Sequence, residues 1–221
     1  MPANLFITEI FLMELEILNW VHATFHDIPW LNYLMKFISA LAAHGEISIV
    51  CCVVLLLFKK TRRGGLAMAV ALVLDVVVVN LILKNAIGRE RPWTHEELSW
   101  APAFYERYGI ELSTDYCFPS GHTAVTFCAA AVLVIFYRAK AIPAVFVALL
   151  IGFSRIYLCE HYVSDVAAGI IIGSLCGVAG YYIYRAVERA VLRAYDKNRY
   201  RLKARAFRTR LPKRYRENIF Y

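Results

Sequence analysis

Four stretches of this chain constrain its fold more than anything else in it: "LAMAVALVLDVVVVNLIL" (66–83), "TAVTFCAAAVLVIFY" (123–137), "AIPAVFVALLIGF" (141–153) and "VSDVAAGIIIGSLCGVAGYYIY" (163–184). Each is near, or extensible to, the roughly 17–25 apolar residues that cross a hydrocarbon core. Two shorter runs lie upstream, "WLNYLMKFISALAAH" (30–44) and "EISIVCCVVLLLF" (46–58). They read as two helices turning at Gly45, with one long kinked helix as the alternative. Hydrophobic residues make up 60% of the chain, against roughly 45–50% in an ordinary soluble domain. The expectation is an all-α integral membrane bundle of six helices.

Charge orients it. The formal net charge is +8, but from Arg185 onward 13 Lys/Arg stand against three Asp/Glu, a net +10, which leaves −2 for residues 1–184. With "KKTRRG" (59–64) and the pair Arg138 and Lys140, the tail marks the cytoplasmic side by the positive-inside rule. Threading back gives six crossings, both termini cytoplasmic, and the helix ends near Lys84, Ser120, Ser154 and Val163 gathered on the outer side. The first lysine is Lys36, so no basic region marks a cleaved signal peptide. Residues 5–20 place Glu9 and Glu16 on one side of a helix and apolar residues on most of the rest, with Glu14 the weakest fit; an interfacial amphipathic helix is expected there. Three regions follow: 1–27 the N-terminal helix, 28–186 the six-helix membrane domain, and 187–221 a basic cytoplasmic tail.

The acids and bases at the outer face form a set. "KNAIGRERP" holds Lys84 and Arg91 seven apart, on one face if the helix runs that far, before Pro92 constrains its exit. Alone, the two would read as cations snorkelling at a helix end. "FPSGH" (118–122) opens the next span with Pro119 and Ser120 as helix-start residues. Gly121 allows close approach to the backbone, and the N–H groups at that terminus suit an anion. A plain capped helix is the bland alternative. In "SRIYLCEHYVSDVAAG" (154–169) the step from His161 to Asp165 is i, i+4. Such a carboxylate can fix a histidine tautomer, the geometry of an orienter and a nucleophile, and Arg155 adds a third cation able to fork two phosphate oxygens. Cys51, Cys52, Cys128 and Cys176 fall in spans, where Cys packs as a small hydrophobe. Cys117 and Cys159 fall near the outer face, where an oxidising compartment would allow a bridge, although two free thiols are the preferred reading. No CxxC or His-rich pattern indicates zinc.

Taken together, K-x6-RP (Lys84 to Pro92), PSGH (Pro119 to His122) and SR-x5-H-x3-D (Ser154 to Asp165) resemble the three-part signature of the type 2 phosphatidic-acid phosphatases, membrane relatives of acid phosphatases and vanadium haloperoxidases. The resemblance implies a six-helix bundle and metal-independent hydrolysis, with no cofactor, through a covalent phosphohistidine. It assigns His161 as nucleophile, Asp165 as its orienter and His122 as general acid. Lys84, Arg91, Ser120, Gly121 and Arg155 would bind the phosphoryl group. The chemistry agrees, because a transferring phosphoryl group needs chiefly positioning and cationic stabilisation.

A pocket opening at the membrane surface of a chain with no soluble domain points to a lipid substrate, either an isoprenoid diphosphate such as undecaprenyl diphosphate or phosphatidylglycerol phosphate. Two rivals stay open: a phosphotransferase using the same phosphohistidine, and a transporter with a His/Asp proton relay. The connection 93–118 reads as a lid or as a loop resting on headgroups, with Trp93, Trp100, Tyr105 and Tyr108 suited to the interfacial aromatic belt. Asp75 lies about 13 Å below Lys84 at 1.5 Å per residue, and a hydrogen bond to a neighbouring helix is its preferred reading. Glycines 169, 173 and 177 make two GxxxG steps, read as packing inside the bundle. The tail is expected to bind anionic lipid headgroups rather than nucleic acid. The sequence leaves the oligomeric state open.

Overall fold

The computed structural model describes the backbone of residues 3–210 and the side chains of residues 8–202. No strand occurs among the described residues. The chain divides into two units, residues 1–181 and 182–221. In the first, α1 (Ala3–Phe25), α2 (Pro29–Ala40) and α3 (Glu46–Leu57) precede a long segment, α4 (Arg62–Asp75), which continues as a π-helical stretch (Val76–Leu83) and one closing α-turn, α5 (Lys84–Ile87). Two 3-10 turns and α6 (Ala101–Tyr108) lead to α7 (Gly121–Tyr137), α8 (Ile142–Tyr157) and α9 (Val163–Arg210).

Local chemistry sets the boundaries. Pro29 and Pro143 fall in the first turns of α2 and α8, where a missing N–H costs nothing. The turn between α2 and α3 is made at Gly45, whose φ of 79° is open chiefly to glycine. Gly88, at φ 63°, closes α5 with its N–H returned to the Lys84 carbonyl at 3.0 Å, the left-handed helix stop.

Among the described residues, three stretches are long and apolar enough to cross a membrane: Arg62–Thr94, Gly121–Tyr157 and Val163–Leu202, with mean hydropathies of 2.7, 2.0 and 1.8. The second is folded back at Arg138 (φ 51°). Ala148 packs on Phe127 and Ala130, and Gly152 lies beside Thr123, so α7 and α8 run as an antiparallel hairpin. At 12 residues each, α2 and α3 are about 18 Å long, shorter than a hydrocarbon core of roughly 30 Å. Large apolar side chains such as Val73, Leu81, Phe146, Ile171 and Leu175 are exposed along these helices, a surface suited to lipid rather than water.

The glycines of α9 draw it onto α7. A Cβ would lie 2.8 Å from the Ser120 carbonyl oxygen at Gly169, 2.1 Å from that of Ala124 at Gly173 and 2.6 Å from that of Cys128 at Gly177. The two GxxxG steps are therefore used inside the bundle, and they fix where α7 begins.

The connection 93–118 is packed rather than loose. Tyr105 and Tyr108 are buried with Val21, Met35, Tyr157 and Leu158. Tyr105 donates its hydroxyl to the Cys159 carbonyl at 2.9 Å, and the Tyr108 hydroxyl accepts from Asn32 Nδ2 at 2.8 Å. The sequence expectation of an aromatic belt is corrected for these two residues: each phenol finds a partner indoors. The N-terminal helix joins the same core. Leu15 and Leu18 pack with Leu98, Ala101, Cys117, Cys159 and Tyr162, while Leu12, Met13 and Trp20 are exposed.

The second unit is helical through Arg210. There Glu188 accepts from the Tyr184 hydroxyl at 2.8 Å and pairs with Arg185 at 3.6 Å. The last part of the expected basic tail, residues 211–221, lies outside the described residues.

Candidate active site

The helix carrying Lys84 stops at Ile87, so the seven-residue spacing to Arg91 is not a helical face. The two cations meet by another route. Arg91, in extended backbone (φ −77°, ψ 149°), turns back, and Lys84 Nζ and Arg91 Nη2 take the two carboxylate oxygens of Asp115. Arg91 Nε also donates to the Asp115 carbonyl at 3.0 Å. Burial would raise the Asp115 carboxyl, but its hydrogen bond from Lys84 and the charge of Arg91 prevail and hold it down at about 2.

Arg91 Nη1 donates to the Glu160 carbonyl at 3.0 Å and lies 3.4 Å from His161 Nε2. Arg155, in the last turn of α8, is buried, with Nη1 on the Ser39 hydroxyl and Nη2 on the Glu160 carboxylate. Its Nε has no hydrogen-bond partner. Burial, then the neighbouring Arg91, Arg155 and Lys84 cations, depress the His161 imidazole well below its ordinary range. That ring is neutral at physiological pH, with Nε2 turned toward the cations.

On its other edge, Nδ1 is 3.6 Å from Asp165 Oδ2 and 3.3 Å from Cys117 Sγ. The thiol donates to the same Oδ2 at 2.7 Å, and the Tyr162 N–H donates to it at 2.9 Å. α9 begins at Val163, so His161 sits in the turn before the helix rather than on it. The i, i+4 pair still faces one way, but the contact is looser than a hydrogen bond. Cys117 and Cys159 are free and buried.

α7 starts at Gly121 with no side-chain cap. Its first intrahelical bond is Ala124 N–H to the Ser120 carbonyl at 2.9 Å, so the N–H groups of residues 121–123 precede the ladder. Ser120 is buried; its N–H donates to the Asp165 carbonyl at 3.1 Å and its hydroxyl accepts from Thr123 Oγ1 at 3.0 Å. A side chain at Gly121 would stand 3.3 Å from Asn80 Oδ1 and 3.8 Å from Lys84 Nζ.

Lys84, Arg91, Gly121, His122 and His161 line one cavity of about 470 Å³. His122 also lines an adjoining cavity of about 430 Å³ that holds Arg155. Ser120 and Asp165 stand behind Gly121 and His161. All eight residues singled out from the sequence thus belong to one constellation. Asp75 lines the floor of the first cavity. The bond expected there to a neighbouring helix is not made at Oδ1, which has no partner.

Donor atoms of Cys117, His161 and Asp165 lie within 4.8 Å of one another. The guanidinium of Arg89 on Asp165 and that of Arg91 beside His161 already supply positive charge at this spot, a poor setting for a metal cation. Sequence reasoning missed Asp115, Glu160, Arg89 and Glu14. Asp115 and Glu160 neutralise the cations of the seat, and their only mark in the sequence is a charge near a motif. Arg89 was overshadowed by Arg91 two residues on, and Glu14 was visible as the acid that did not fit its helix.

The model of the PAP2 superfamily matches residues 64–189. An undecaprenyl-diphosphatase of Sulfolobus acidocaldarius is 29% identical over 152 residues, covering 68% of this chain and 69% of the relative. Phosphatidylglycerophosphatase B of Bacillus subtilis is 30% identical over 162 residues, covering 66% and 72%. The crystal structure of a transmembrane PAP2 type phosphatidylglycerolphosphate phosphatase from Bacillus subtilis shares the fold, with a TM-score of 0.62 at 23% identity over 83% of this chain and 88% of that one.

Proposed function

The chain belongs to the PAP2 superfamily, and from that premise we propose that it is an integral membrane lipid phosphatase that hydrolyses a lipid phosphate or diphosphate through a phosphohistidine on His161. The observation that carries this reading is the convergence on one cavity of a neutral imidazole nitrogen, two cations and the uncapped start of α7.

In the first step His161 Nε2 attacks phosphorus in line with the leaving oxygen. Lys84, Arg91, Arg155 and the N–H groups at residues 121–123 hold the equatorial oxygens, where charge gathers in the transition state. His122, lining both cavities, gives its proton to the departing oxygen, so the lipid leaves as an alcohol or, from a diphosphate, as a monophosphate. The ring nitrogen of His161 has then formed an N–P bond and carries positive charge, which Asp165 stabilises from behind. In the second step water attacks phosphorus, His122 takes its proton, the N–P bond breaks and inorganic phosphate departs. The cations and α7 supply the electrostatic stabilisation without a metal.

The Sulfolobus and Bacillus relatives, named for an isoprenoid diphosphate and a glycerolipid phosphate, support a lipid substrate of one of these two kinds. We place the cavity on the extracytoplasmic face and the C-terminus in the cytoplasm. Glu14 and Asn19 of α1 bond to Arg89, Ser164 and Glu97, and Asn32 and Ser39 of α2 bond to Tyr108 and Arg155, so α1 and α2 lie along the cavity's own face. That corrects the expected cytoplasmic N-terminus and leaves five crossings, α3, the helix from Arg62 to Ile87, α7, α8 and α9. The basic residues at 59–63, 138–140 and from 185 onward support that orientation, and the tail among them suits anionic headgroups.

The test is phosphate release by purified, detergent-solubilised protein from undecaprenyl diphosphate, phosphatidylglycerol phosphate and phosphatidic acid, with EDTA present. Release should persist in EDTA and fall by at least about a thousandfold in His161→Ala. No release from a folded protein, or transfer of the group to an added alcohol in preference to water, would overturn the hydrolase.

A further inference from the structure

Arg89 lies outside every signature position, yet it reaches behind the site. Its Nη1 donates to Asp165 Oδ1 at 2.6 Å and to the Ser164 hydroxyl at 2.7 Å, and its Nη2 donates to Glu14 Oε2 at 2.7 Å. The guanidinium lies 3.9 Å over the Tyr162 ring. Glu14 comes from the middle of α1, and its other oxygen accepts the Ser164 N–H at 2.7 Å. Glu14 is 4% exposed and Asp165 is fully buried. Two carboxylates this deep need a cation, and a single guanidinium serves both.

Consider what each group does to the next. Arg89 takes Oδ1 of Asp165 and so fixes the plane of the carboxylate, leaving Oδ2 toward His161. Acting alone, that guanidinium would also cancel the negative charge that Asp165 presents to the imidazole 3.6 Å away. Glu14 returns it: as two ion pairs sharing one cation, Glu14, Arg89 and Asp165 carry a net −1. That charge opposes the +1 that appears on the ring when the N–P bond forms.

We propose that Arg89 and Glu14 are positioning residues for the hydrolysis, aiming the Asp165 carboxylate and setting the charge behind His161, so that the N-terminal helix is part of the catalytic apparatus. The inference rests on His161 as nucleophile and Asp165 as its orienter. It differs from a docking role for α1, which Leu15 and Leu18 fill by packing.

The experiment is steady-state kinetics of the full chain in detergent with one lipid phosphate substrate, beside thermal unfolding. Glu14→Gln should lower kcat at least about fivefold with KM within about twofold, the split expected when transition-state stabilisation alone is lost. Leu18→Ala, in the same helix, should lower Tm and leave kcat within about twofold. Arg89→Gln should lower kcat by at least about fiftyfold, and adding Glu14→Gln to it should change kcat by less than about twofold, because the second group acts through the first. Multiplicative effects of the two variants, or a wild-type kcat in folded Glu14→Gln, overturn the proposal. Should a Gln variant not fold, Arg89→Lys keeps the charge but lacks the fork that holds both carboxylates; kcat should drop by about tenfold or more, and a wild-type value overturns the proposal. A dead His161→Ala beside a wild-type Glu14→Gln sinks this inference alone. Turnover surviving in His161→Ala sinks the reading beneath it.

Discussion

Asp115 shows what the seat is for at the level of single residues. A carboxylate spans Lys84 and Arg91, the two cations that a phosphoryl group requires, so an incoming anion competes with one already bound. A site available for only part of the time shows its affinity reduced by that fraction. Asp115→Asn is therefore expected to tighten competitive inhibition by orthophosphate roughly tenfold; weaker inhibition would mean that Asp115 braces the cations instead. The same group makes a prediction in pH. Its carboxyl is held at about 2 in the folded protein, below the ordinary value of about 3.9, so its stabilising contribution is present above about pH 4 and is lost as pH falls through 2. The side chain is half exposed, so solvent screening keeps that contribution small. The difference in unfolding midpoint between wild type and Asp115→Asn should hold steady from pH 7 to 5 and shrink below 4; a difference that grows on acidification contradicts the assignment. The eight signature residues could be read from the sequence because their chemistry is tied to fixed local spacing. Asp115 and Glu160 could not, since a lone acid in a loop carries no periodicity to say whom it faces.

Among the elements, hydropathy revealed the long helices and missed how they end. Lys84 and Arg91 would share a helical face only if the helix ran that far; Gly88 stops it between them, and the shared partner, not the spacing, unites them. The π-helical stretch Val76–Leu83, the kind of irregularity that gathers at functional sites, leads directly into Lys84, and its apolar sequence "VVVVNLIL" gives no sign of it. The pattern of residues 5–20 leads to an interfacial helix, but the tie of α1 to the site runs through Glu14 meeting Arg89, 75 positions away, which no local pattern encodes. The glycines of α9, by contrast, were legible as a packing face, and they yield a sharp prediction. A methyl at position 173 would lie 2.1 Å from the Ala124 carbonyl oxygen, a clash with backbone that no rotamer relieves. Gly173→Ala should cost about 2–3 kcal/mol of stability and lower turnover by shifting the start of α7 against Lys84. Thermal unfolding in detergent checks it, and an unchanged midpoint would mean that α7 and α9 are not packed as described.

Residues 1–181 form a lipid-facing helical unit with a polar seat at one end. A reporter fused at residue 1 should read out on the same side as one placed in the connection 93–118, because α1 packs on that connection, and one after residue 221 should read out as cytoplasmic; the same side for all three would contradict the orientation. The central claim is that His161 becomes covalently phosphorylated. The most direct test is to mix the protein, in EDTA, with a lipid phosphate labelled in its terminal phosphate, quench within the turnover time at alkaline pH and locate the label by mass spectrometry. The account predicts an acid-labile phosphate on the peptide carrying His161, absent from His161→Ala and accumulating when His122, which activates the second-step water, is replaced. Label on another residue, or steady turnover with none on the protein, would contradict it.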